Sequence, residues 1–429
     1  MANDGAWNRR SLLRGAAVVA GAAAATPLLG GARRAHADGS GADVLFQAGN
    51  FEAAGRAYEE ILKTDPNNVH AARQRGYVGL LGNKFPDAEK YLTMALDLAP
   101  DDKQTNRLLG DCYTRQDKFA LAVPHWRAAG QEDRATWFAA VRGTPYQIHG
   151  DTARLPWQQM DPFPLVEATV NGGPPKLFTF YTGAPHLGLS ERVAEEAGLR
   201  AVAKTKIDVM GDTIWMYFGI LDSFKLGGIE LRNIPVSWME EGGGPEMGDG
   251  MIGSWILYHL LPTFDYAGRS LILRRRTPEA ARKARADATR AGAKPLPLWL
   301  AREQYLHSKG SVAGSGPRIV AVNLGGTSEC AAGIPGETVK QLRIRTDHDR
   351  PLETLEHSQP VVAYPCYPTE LRLGDATAKQ TYCNAIPKMP LNEHGFDVPA
   401  RFFHSFWKPY NITVDYTNMT LYITHGKTP

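Results

Sequence analysis

The residues with the clearest capacity for chemistry lie at a few separate points of the sequence. Asp347-His348-Asp349 groups three possible metal ligands, but no further ligand follows at a suitable spacing, and a polar turn before Pro351 accounts for the run. The four cysteines have no zinc-site spacing. No glycine-rich phosphate loop or Gly-x-Ser-x-Gly elbow stands out. The sequence therefore predicts no metal and no cofactor.

A better candidate lies where an apolar strand, residues 176–181, runs into Thr182-Gly183-Ala184. Other strand and turn signals surround it in the order 165–173, 222–231, 248–253 and Asp265-Tyr266. Over roughly residues 155–273 this order resembles a retropepsin-type aspartic protease lobe. In that family the strand ends in Asp-Thr/Ser-Gly-Ala, and a flap hairpin follows.

The resemblance implies two carboxylates about 3 Å apart that share one proton, one from each of two lobes. At the first position the chain has Tyr181, while Thr182 and Gly183 keep the turn that would line the cleft. A phenol with a pKa near 10 donates a hydrogen bond but is not a ready general base at neutral pH. The resemblance therefore implies the fold of an aspartic protease without its usual first acid.

The last third of the chain repeats features of this lobe. Asp265-Tyr266 returns as Asp415-Tyr416 at an offset of 150 residues, and the stretch 166–173 resembles 319–326. We therefore expect two lobes in one chain, the pair that retropepsins build from two chains. On this alignment Ala331 stands where the partner aspartate would be. Glu329 or Glu337 is an alternative acid that could approach the cleft, but surface carboxylates in a turn are the favoured interpretation of both.

Three further residues are candidates for a site between the lobes. His186 follows the turn and is a possible partner of Tyr181, although a lone histidine is more often a structural residue. Asp212 and Trp215 fall in the expected flap, where Asp212 is a second possible partner and Trp215 either stacks on a ligand or packs. Three other aspartates are expected only to hold turns: Asp249, Asp265 and Asp415.

Residues 42–130 have a period of 34. Three series recur at this spacing: Phe51, Phe85 and Phe119; Ala54, Ala88 and Ala122; Tyr58, Leu92 and Trp126. With small residues at helix crossings, large residues that stack neighbouring repeats and Pro66 or Pro100 after each second helix, the pattern resembles tetratricopeptide repeats. Such an array offers a groove for an extended peptide or a partner helix, and a structural spacer is the alternative.

The N-terminus combines Arg9-Arg10, a weakly apolar run and Ala35-His36-Ala37. This resembles a bacterial twin-arginine signal peptide, which is cleaved after export of the folded protein. A cytoplasmic Ala/Arg-rich tail is the alternative, while a membrane anchor is disfavoured because the run is shorter than about 20 residues. In an oxidising compartment Cys366 and Cys383 would form a disulfide or remain buried thiols.

The sequence thus predicts an α-helical tetratricopeptide array followed by an all-β bilobal domain. Its expected segments are a signal peptide (1–37), repeats (42–130), a first lobe (145–276), a helical linker (277–294) and a second lobe (295–426). The net charge of +3 argues against a nucleic acid partner. No membrane span is expected after signal cleavage.

Two classes of function fit these residues. The first is a secreted pseudoenzyme that holds an extended peptide or partner protein in the interlobe cleft, with the repeats as a second protein-binding surface. The second is an enzyme of lyase, isomerase or cyclase type, in which Tyr181 donates a proton or hydrogen bond to a small molecule or peptide. An active aspartic peptidase with other carboxylates is the third reading, and the fold does not decide among them.

Overall fold

The computed structural model describes residues 40–161, 163–209, 212–240, 248–325, 329–356 and 359–426. The predicted signal peptide therefore lies outside the described residues. Seven helices come first: α1 (Ser40–Gln47), α2 (Phe51–Thr64), α3 (Val69–Leu81), α4 (Phe85–Leu98), α5 (Lys103–Thr114), α6 (Phe119–Ala128) and α7 (Glu132–Ala139).

The 34-residue period reflects the packing of each repeat on the next. The recurring phenylalanines begin α2, α4 and α6, and the recurring alanines and large residues of these helices are buried. Gly76 and Gly110, also 34 residues apart, face Leu92 and Trp126 so closely that a Cβ would lie 2.6 Å and 2.8 Å from those side chains. Paired helices approach this closely only where one of them has no side chain.

Strands dominate the remainder, which is divided into two lobes. The first lobe contains β1 (Gln147–His149), β2 (Thr152–Pro156), β3 (Leu165–Val170), β4 (Lys176–Phe180), β5 (Leu187–Ser190), α8 (Glu191–Glu196), β6 (Ala203–Val209), β7 (Asp212–Leu226), β8 (Ile229–Met239), β9 (Gly250–Ile252), α9 (Ser254–Tyr258), β10 (Thr263–Asp265) and β11 (Ser270–Arg274). Helix α10 (Pro278–Arg290) then connects the lobes, and the Thr277 hydroxyl caps it by accepting a hydrogen bond from the Ala280 N–H at 3.1 Å.

The second lobe repeats this order. It contains β12 (Leu296–Pro297), β13 (Trp299–Ala301), β14 (Tyr305–Val312), β15 (Ser315–Val322), β16 (Ala332–Pro335), α11 (Gly336–Gln341), β17 (Arg345–Thr346), β18 (Leu352–Glu356), β19 (Gln359–Tyr367), β20 (Glu370–Leu373), β21 (Ala376–Lys379), β22 (Cys383–Ile386), β23 (Arg401–Phe402), α12 (His404–Trp407), β24 (Tyr410–Asp415) and β25 (Thr420–His425). The predicted bilobal architecture is confirmed.

The lobes meet in a shared six-stranded sheet with the order β12-β25-β24-β10-β11-β2. At its centre β10 and β24 run antiparallel, with Thr263 opposite Thr413 and their hydroxyl oxygens 2.7 Å apart. Because these two residues are 150 positions apart, the offset seen in the sequence marks an approximate two-fold relation between the lobes. Each lobe adds its own larger sheet, of eight strands in the first and eleven in the second.

The helical array lies against the second lobe. Phe46 and Phe51, near the start of the array, make edge contacts with Phe396, and Phe51 also packs on Trp299. Further along, the Tyr77 hydroxyl donates to the His394 carbonyl at 3.3 Å. We call the surface of α1, α3, α5 and α7, together with Phe51 at the start of α2, the inner face of the array.

Two remaining expectations concern cysteines and membranes. Cys366 and Cys383 lie directly opposite each other in the β19–β22 ladder, and both are buried free thiols in this structure. Across the described ranges, no helix has the length and apolar character needed to cross a bilayer.

Candidate functional site

The candidate site is built where the turn after β4 meets the turn after β15. The Thr182 N–H donates to the Leu324 carbonyl at 2.9 Å, and the Leu324 N–H donates to the Thr182 hydroxyl oxygen, also at 2.9 Å. Tyr181 and Gly325 form an antiparallel bridge beside them. Gly325 has a φ of +76°, and a Cβ there would lie 1.9 Å from the Phe180 carbonyl, so only glycine allows the turns to approach this closely.

Strand register identifies the residue that corresponds to Tyr181 in the second lobe. Phe180 pairs with Ile252 in the parallel β4–β9 ladder, and Val322 pairs with Phe402 in the parallel β15–β23 ladder. The next residue repeats one hydrogen bond: the Tyr181 N–H donates to the Ile252 carbonyl at 3.0 Å, and the Asn323 N–H donates to the Phe402 carbonyl at 2.9 Å. Asn323 therefore occupies the second of the two positions that an aspartic protease fills with acids.

The prediction that Ala331 holds this position is wrong. Ala331 precedes β16, is buried, and donates its N–H to the Tyr382 carbonyl at 2.8 Å. Gly333 pairs with Arg401 in the second lobe as Gly188 pairs with Met251 in the first, so Gly333 corresponds to Gly188. Ala331 lies two residues before Gly333 and therefore corresponds to His186. The error arose from aligning 319–326 with β3, whereas residues 319–322 are the end of β15, the strand that corresponds to β4.

The two acid positions thus hold a phenol and an amide. The Asn323 Nδ2 lies 3.5 Å from the Tyr181 hydroxyl oxygen, a long hydrogen bond. Tyr181 is half-buried, whereas Asn323 is only 8% exposed. An amide does not titrate and a phenol ionises near pH 10, so at neutral pH the pair offers hydrogen-bond donors and acceptors but no base.

Buried hydrogen bonds hold both turns in place. The Ser254 hydroxyl donates to the Thr182 carbonyl at 2.8 Å, and the Gln304 side-chain amide donates to the Gly183 carbonyl at 3.2 Å. On the other side, the Trp407 indole N–H donates to the Asn323 carbonyl at 2.8 Å, and the Gly325 N–H donates to the Tyr266 hydroxyl at 2.8 Å. The site is therefore preorganised by both lobes.

His186 is a packing residue and is not the partner of Tyr181. Its Nε2 lies 2.7 Å from the Ser237 hydroxyl, and its Nδ1 is buried without a hydrogen-bond partner. Burial lowers the pKa of His186 to about 3, with a smaller contribution from the charge of Arg134. The predicted partnership with Tyr181 is therefore wrong, and the structural alternative describes this residue.

Trp137 of α7 inserts between the β6–β7 hairpin, which is the expected flap, and the turn that follows β4. Its ring lies 4.6 Å from Phe218 of β7, 5.1 Å from His186 and 5.9 Å from Trp255, measured between centroids. Its indole N–H donates to the Gly219 carbonyl at 2.9 Å. The last helix of the array thus occupies the face of the hairpin that carries Phe218.

The other two candidates, Asp212 and Trp215, lie on the β6–β7 hairpin, as expected. Trp215 is opposite Lys206, and the Lys204 ammonium lies 4.3 Å from its ring centroid. Because side chains alternate along a strand, Trp215 and Phe218 point to opposite faces, and Trp215 does not meet Trp137. Asp212 begins β7 opposite Val209, and its role as a partner of Tyr181 stays a prediction.

The remaining acids have the structural roles expected of them. Glu329 and Glu337 are exposed. Asp265 and Asp415 accept backbone N–H groups of the turns that follow them, at 2.8 Å and 2.9 Å, and Asp249 accepts the Leu177 N–H at 2.8 Å. Within the described ranges, no cluster of three histidine, cysteine, aspartate or glutamate side chains suits a metal ion.

Two features of the site escaped sequence reasoning. Asn323 ends an apolar strand and precedes Leu324-Gly325, so it repeats the pattern strand, polar residue, turn glycine seen at Tyr181. That signal was present but weak, because an asparagine at the end of a strand, close to a glycine, is an ordinary turn signature. No sequence pattern marked Trp137, because the residues it contacts, such as Phe218 and Gly219 of β7, are distant in the chain.

Two family models match parts of this architecture. An aspartyl protease model matches residues 166–255, which run from β3 to α9 of the first lobe. A tetratricopeptide repeat model matches residues 41–103 and 81–134. No curated protein matches the chain. The chain therefore joins a tetratricopeptide array to an aspartyl-protease-like domain.

Proposed function

We propose that this chain is an exported binding protein that uses a former protease cleft without cleaving peptide bonds. The observation that supports the proposal is the presence of Tyr181 and Asn323 at the two acid positions. Aspartic proteolysis requires one carboxylate to activate water while the other donates a proton. A phenol and an amide, 3.5 Å apart, supply the donor but not the base.

The ligand of such a site is an extended peptide or a segment of a partner protein. The Asn323 amide has two N–H donors and one acceptor oxygen, and the Tyr181 hydroxyl has one donor and one acceptor oxygen, which suits a backbone carbonyl and N–H. The face of the hairpin that carries Phe218 is already filled by Trp137, so that face is not available to the ligand.

The second candidate function is an enzyme in which Tyr181 donates a proton or hydrogen bond. The half-buried phenol beside a neutral amide favours it, because a low-polarity setting strengthens a donor. His186 does not supply its base, since Nε2 of that residue is bound to Ser237.

The first test measures proteolysis and the role of the phenol. The mature protein should not cleave casein or a peptide library between pH 6 and 7.5, because the pair lacks a base. Tyr181→Phe should leave peptide affinity within about threefold, since it removes a hydroxyl group but keeps the ring, and a hydrogen bond contributes only about 1 kcal/mol. For a phenol-dependent enzyme, the same change should reduce turnover about 100-fold or more. Pepstatin-sensitive cleavage by the unaltered protein, abolished by Asn323→Ala, would overturn the proposal.

A second test concerns export, which rests on Arg9-Arg10 and the residues after them. Replacing both arginines by lysine should keep the unprocessed chain in the cytoplasm of a bacterium with a twin-arginine pathway, because that pathway reads the arginine pair. Cell fractionation and the mass of the N-terminal peptide report the outcome. As a control, Arg33→Lys with Arg34→Lys should leave export intact. Equal secretion of both variants would show that another route is used.

A further inference from the structure

Positive charge is concentrated in one stretch of the chain. Residues 269–294 contain nine arginines and lysines but only two acids, so their net charge is +7, whereas the net charge of the whole chain is +3. The predicted signal peptide, 1–37, holds five further arginines and one aspartate. The mature chain outside 269–294 therefore carries a net negative charge, and the positive charge is unevenly distributed.

Helix α10, within this stretch, has a cationic outer surface. Its buried residues, Ala281 and Ala288, face the shared sheet, where Ala288 packs with Tyr422 of β25. Five cations of the helix and the turn after it are exposed: Arg282, Lys283, Arg285, Arg290 and Lys294. We call these five residues the basic surface.

The acids of the helix are too few to neutralise the basic surface. Glu279 forms an ion pair with Arg282, and Asp287 is shared between Lys283 and Arg290. Exposed ion pairs of this kind are weak, and solvent screens them. The basic surface therefore keeps a surplus of positive charge that is accessible from solution.

The shared sheet separates the basic surface from the candidate site. Tyr422 and Thr263 lie in one row of side chains across β25, β24 and β10, on the face of the sheet that α10 covers. The next residue of β10, Phe264, points to the opposite face and packs on Phe180, with 5.3 Å between ring centroids. Because Phe180 directly precedes Tyr181, the basic surface and the candidate site lie on opposite sides of this sheet.

The composition of the basic surface indicates the kind of partner that it fits. Protein interfaces have a core of aromatic and large apolar side chains, but residues 277–294 contain no aromatic residue and no leucine, isoleucine, valine or methionine. Stacking on single-stranded nucleic acid also requires aromatic residues. A group of cations without apolar neighbours suits a flat anionic surface, because the attraction depends on the number of charges rather than on shape.

We propose that the basic surface attaches the exported protein to a bilayer that contains anionic lipids, with the cleft facing away from the bilayer. Each arginine or lysine near an anionic lipid surface adds a favourable contribution, so several weak attractions combine. The alanines of α10 are already buried against the sheet, so the helix does not insert among the acyl chains and the attachment is purely electrostatic. This orientation leaves Tyr181 and Asn323 open to a ligand from the opposite side.

Sedimentation with lipid vesicles tests the attachment. The mature protein should sediment with phosphatidylcholine vesicles that contain about one third phosphatidylglycerol, but not with phosphatidylcholine alone. Raising the NaCl concentration from about 0.1 M to about 1 M should release it, because the Debye length falls from about 10 Å to about 3 Å. The triple variant Arg282→Gln, Lys283→Gln and Arg285→Gln should bind the anionic vesicles about tenfold more weakly or less, and glutamine preserves the helix propensity of these positions.

A matched control removes three exposed cations from the array instead, by the changes Arg56→Gln, Lys63→Gln and Arg127→Gln. This control has the same net charge as the triple variant and should bind like the unaltered protein. Equal weakening in both variants would show that net charge, and not α10, determines binding. Equal binding to both kinds of vesicle, or capture by heparin without any binding to anionic vesicles, would refute the lipid assignment.

Hydrogen exchange of the unaltered protein locates the contact without any substitution. Amides of α10 should exchange more slowly when anionic vesicles are present, whereas those of the β6–β7 hairpin should be unchanged. Protection of the hairpin without protection of α10 would refute the proposed orientation. Neither measurement depends on what the cleft binds, so failure of the lipid attachment is distinguishable from failure of the proposed function.

Discussion

Acidification from pH 7.5 to pH 5 should remove most of the free energy of unfolding of this protein. Four buried histidines carry the effect: His186, His307, His394 and His404. Burial is the first cause in each, lowering the pKa of His186 to about 3 and those of His307 and His404 to about 4. The pKa of His394 is also lowered well below its usual value by burial.

The sign follows from proton binding. Below pH 6.5 the unfolded chain takes up a proton at each histidine, whereas the folded chain does not until the pH approaches the lowered pKa. The stabilisation is therefore complete above pH 6.5 and is lost as the pH falls toward 4. At pH 5 each of His186, His307 and His404 costs about 2 kcal/mol, or roughly 6 kcal/mol for the three, against roughly 5–15 kcal/mol for a typical domain. His394 adds a loss in the same direction. Asp111 acts in the opposite direction, because burial raises its pKa, but it is a single group.

Urea unfolding at pH 7.5, 6.5, 5.5 and 5 measures this loss. Substituting His186 by asparagine should reduce the steepness of the pH dependence by one proton. Substituting His149, which is exposed on β1, should leave the steepness unchanged. A free energy of unfolding that stays constant from pH 7.5 to pH 5 would contradict the assignment of neutral buried histidines.

Replacing Arg115 by alanine should destabilise the protein by about 3–5 kcal/mol. Its guanidinium is almost completely buried and binds both oxygens of Asp111, which is 5% exposed. It also donates to the carbonyl of Leu80 at 2.9 Å and to those of Leu300 and Arg302 in the second lobe. The substitution leaves a buried carboxylate and three carbonyls without their donor, and it removes a contact between array and lobe.

Thermal and urea unfolding of Arg115→Ala measure the cost, with Arg127→Ala as the matched control. Arg127 forms an exposed ion pair with Glu132 and should contribute less than about 1 kcal/mol. Combining Arg115→Met with Asp111→Leu should recover part of the loss, since no unpaired carboxylate remains. A cost below about 1 kcal/mol for Arg115→Ala would show that the array is not held by this residue.

These contacts change how the repeats are understood. Tetratricopeptide repeats are protein-interaction modules, and in this chain their inner face contacts the second lobe of the same chain. The array therefore serves at least partly as an internal support, and it supplies Trp137 to the flap hairpin. A partner protein would have to use the remaining inner surface or the outer surface of the array.

The repeats illustrate what local sequence can determine. Tyr58 lies on α2, and it contacts Asp43 of α1 and His70 of α3, the neighbouring helices along the chain. Because each repeat packs on the next, the same residue types return every 34 positions, and the period is visible without a structure. The two lobes were recognisable for a similar reason, since Asp265-Tyr266 and Asp415-Tyr416 occupy equivalent places in one repeated order of strands.

The composition of the site was not accessible in this way. The counterpart of Tyr181 depends on which strand of the second lobe meets the end of β4. Hydrogen bonds between residues 142 positions apart, such as the one between Thr182 and Leu324, fix that strand. The residue pattern of a strand does not specify which distant strand it meets, so the sequence indicated Ala331 where the structure has Asn323.

By itself, the sequence determined the repeat array, the two-lobed strand order and the loss of the first acid at Tyr181. The tertiary structure was needed to show that Asn323 faces Tyr181, that His186 packs on Trp137, and that Arg115 joins the array to the second lobe. The physical reason is the range of the interactions. Periodic packing is repeated between neighbours in the chain, whereas a site is assembled from single contacts between segments that folding alone brings together.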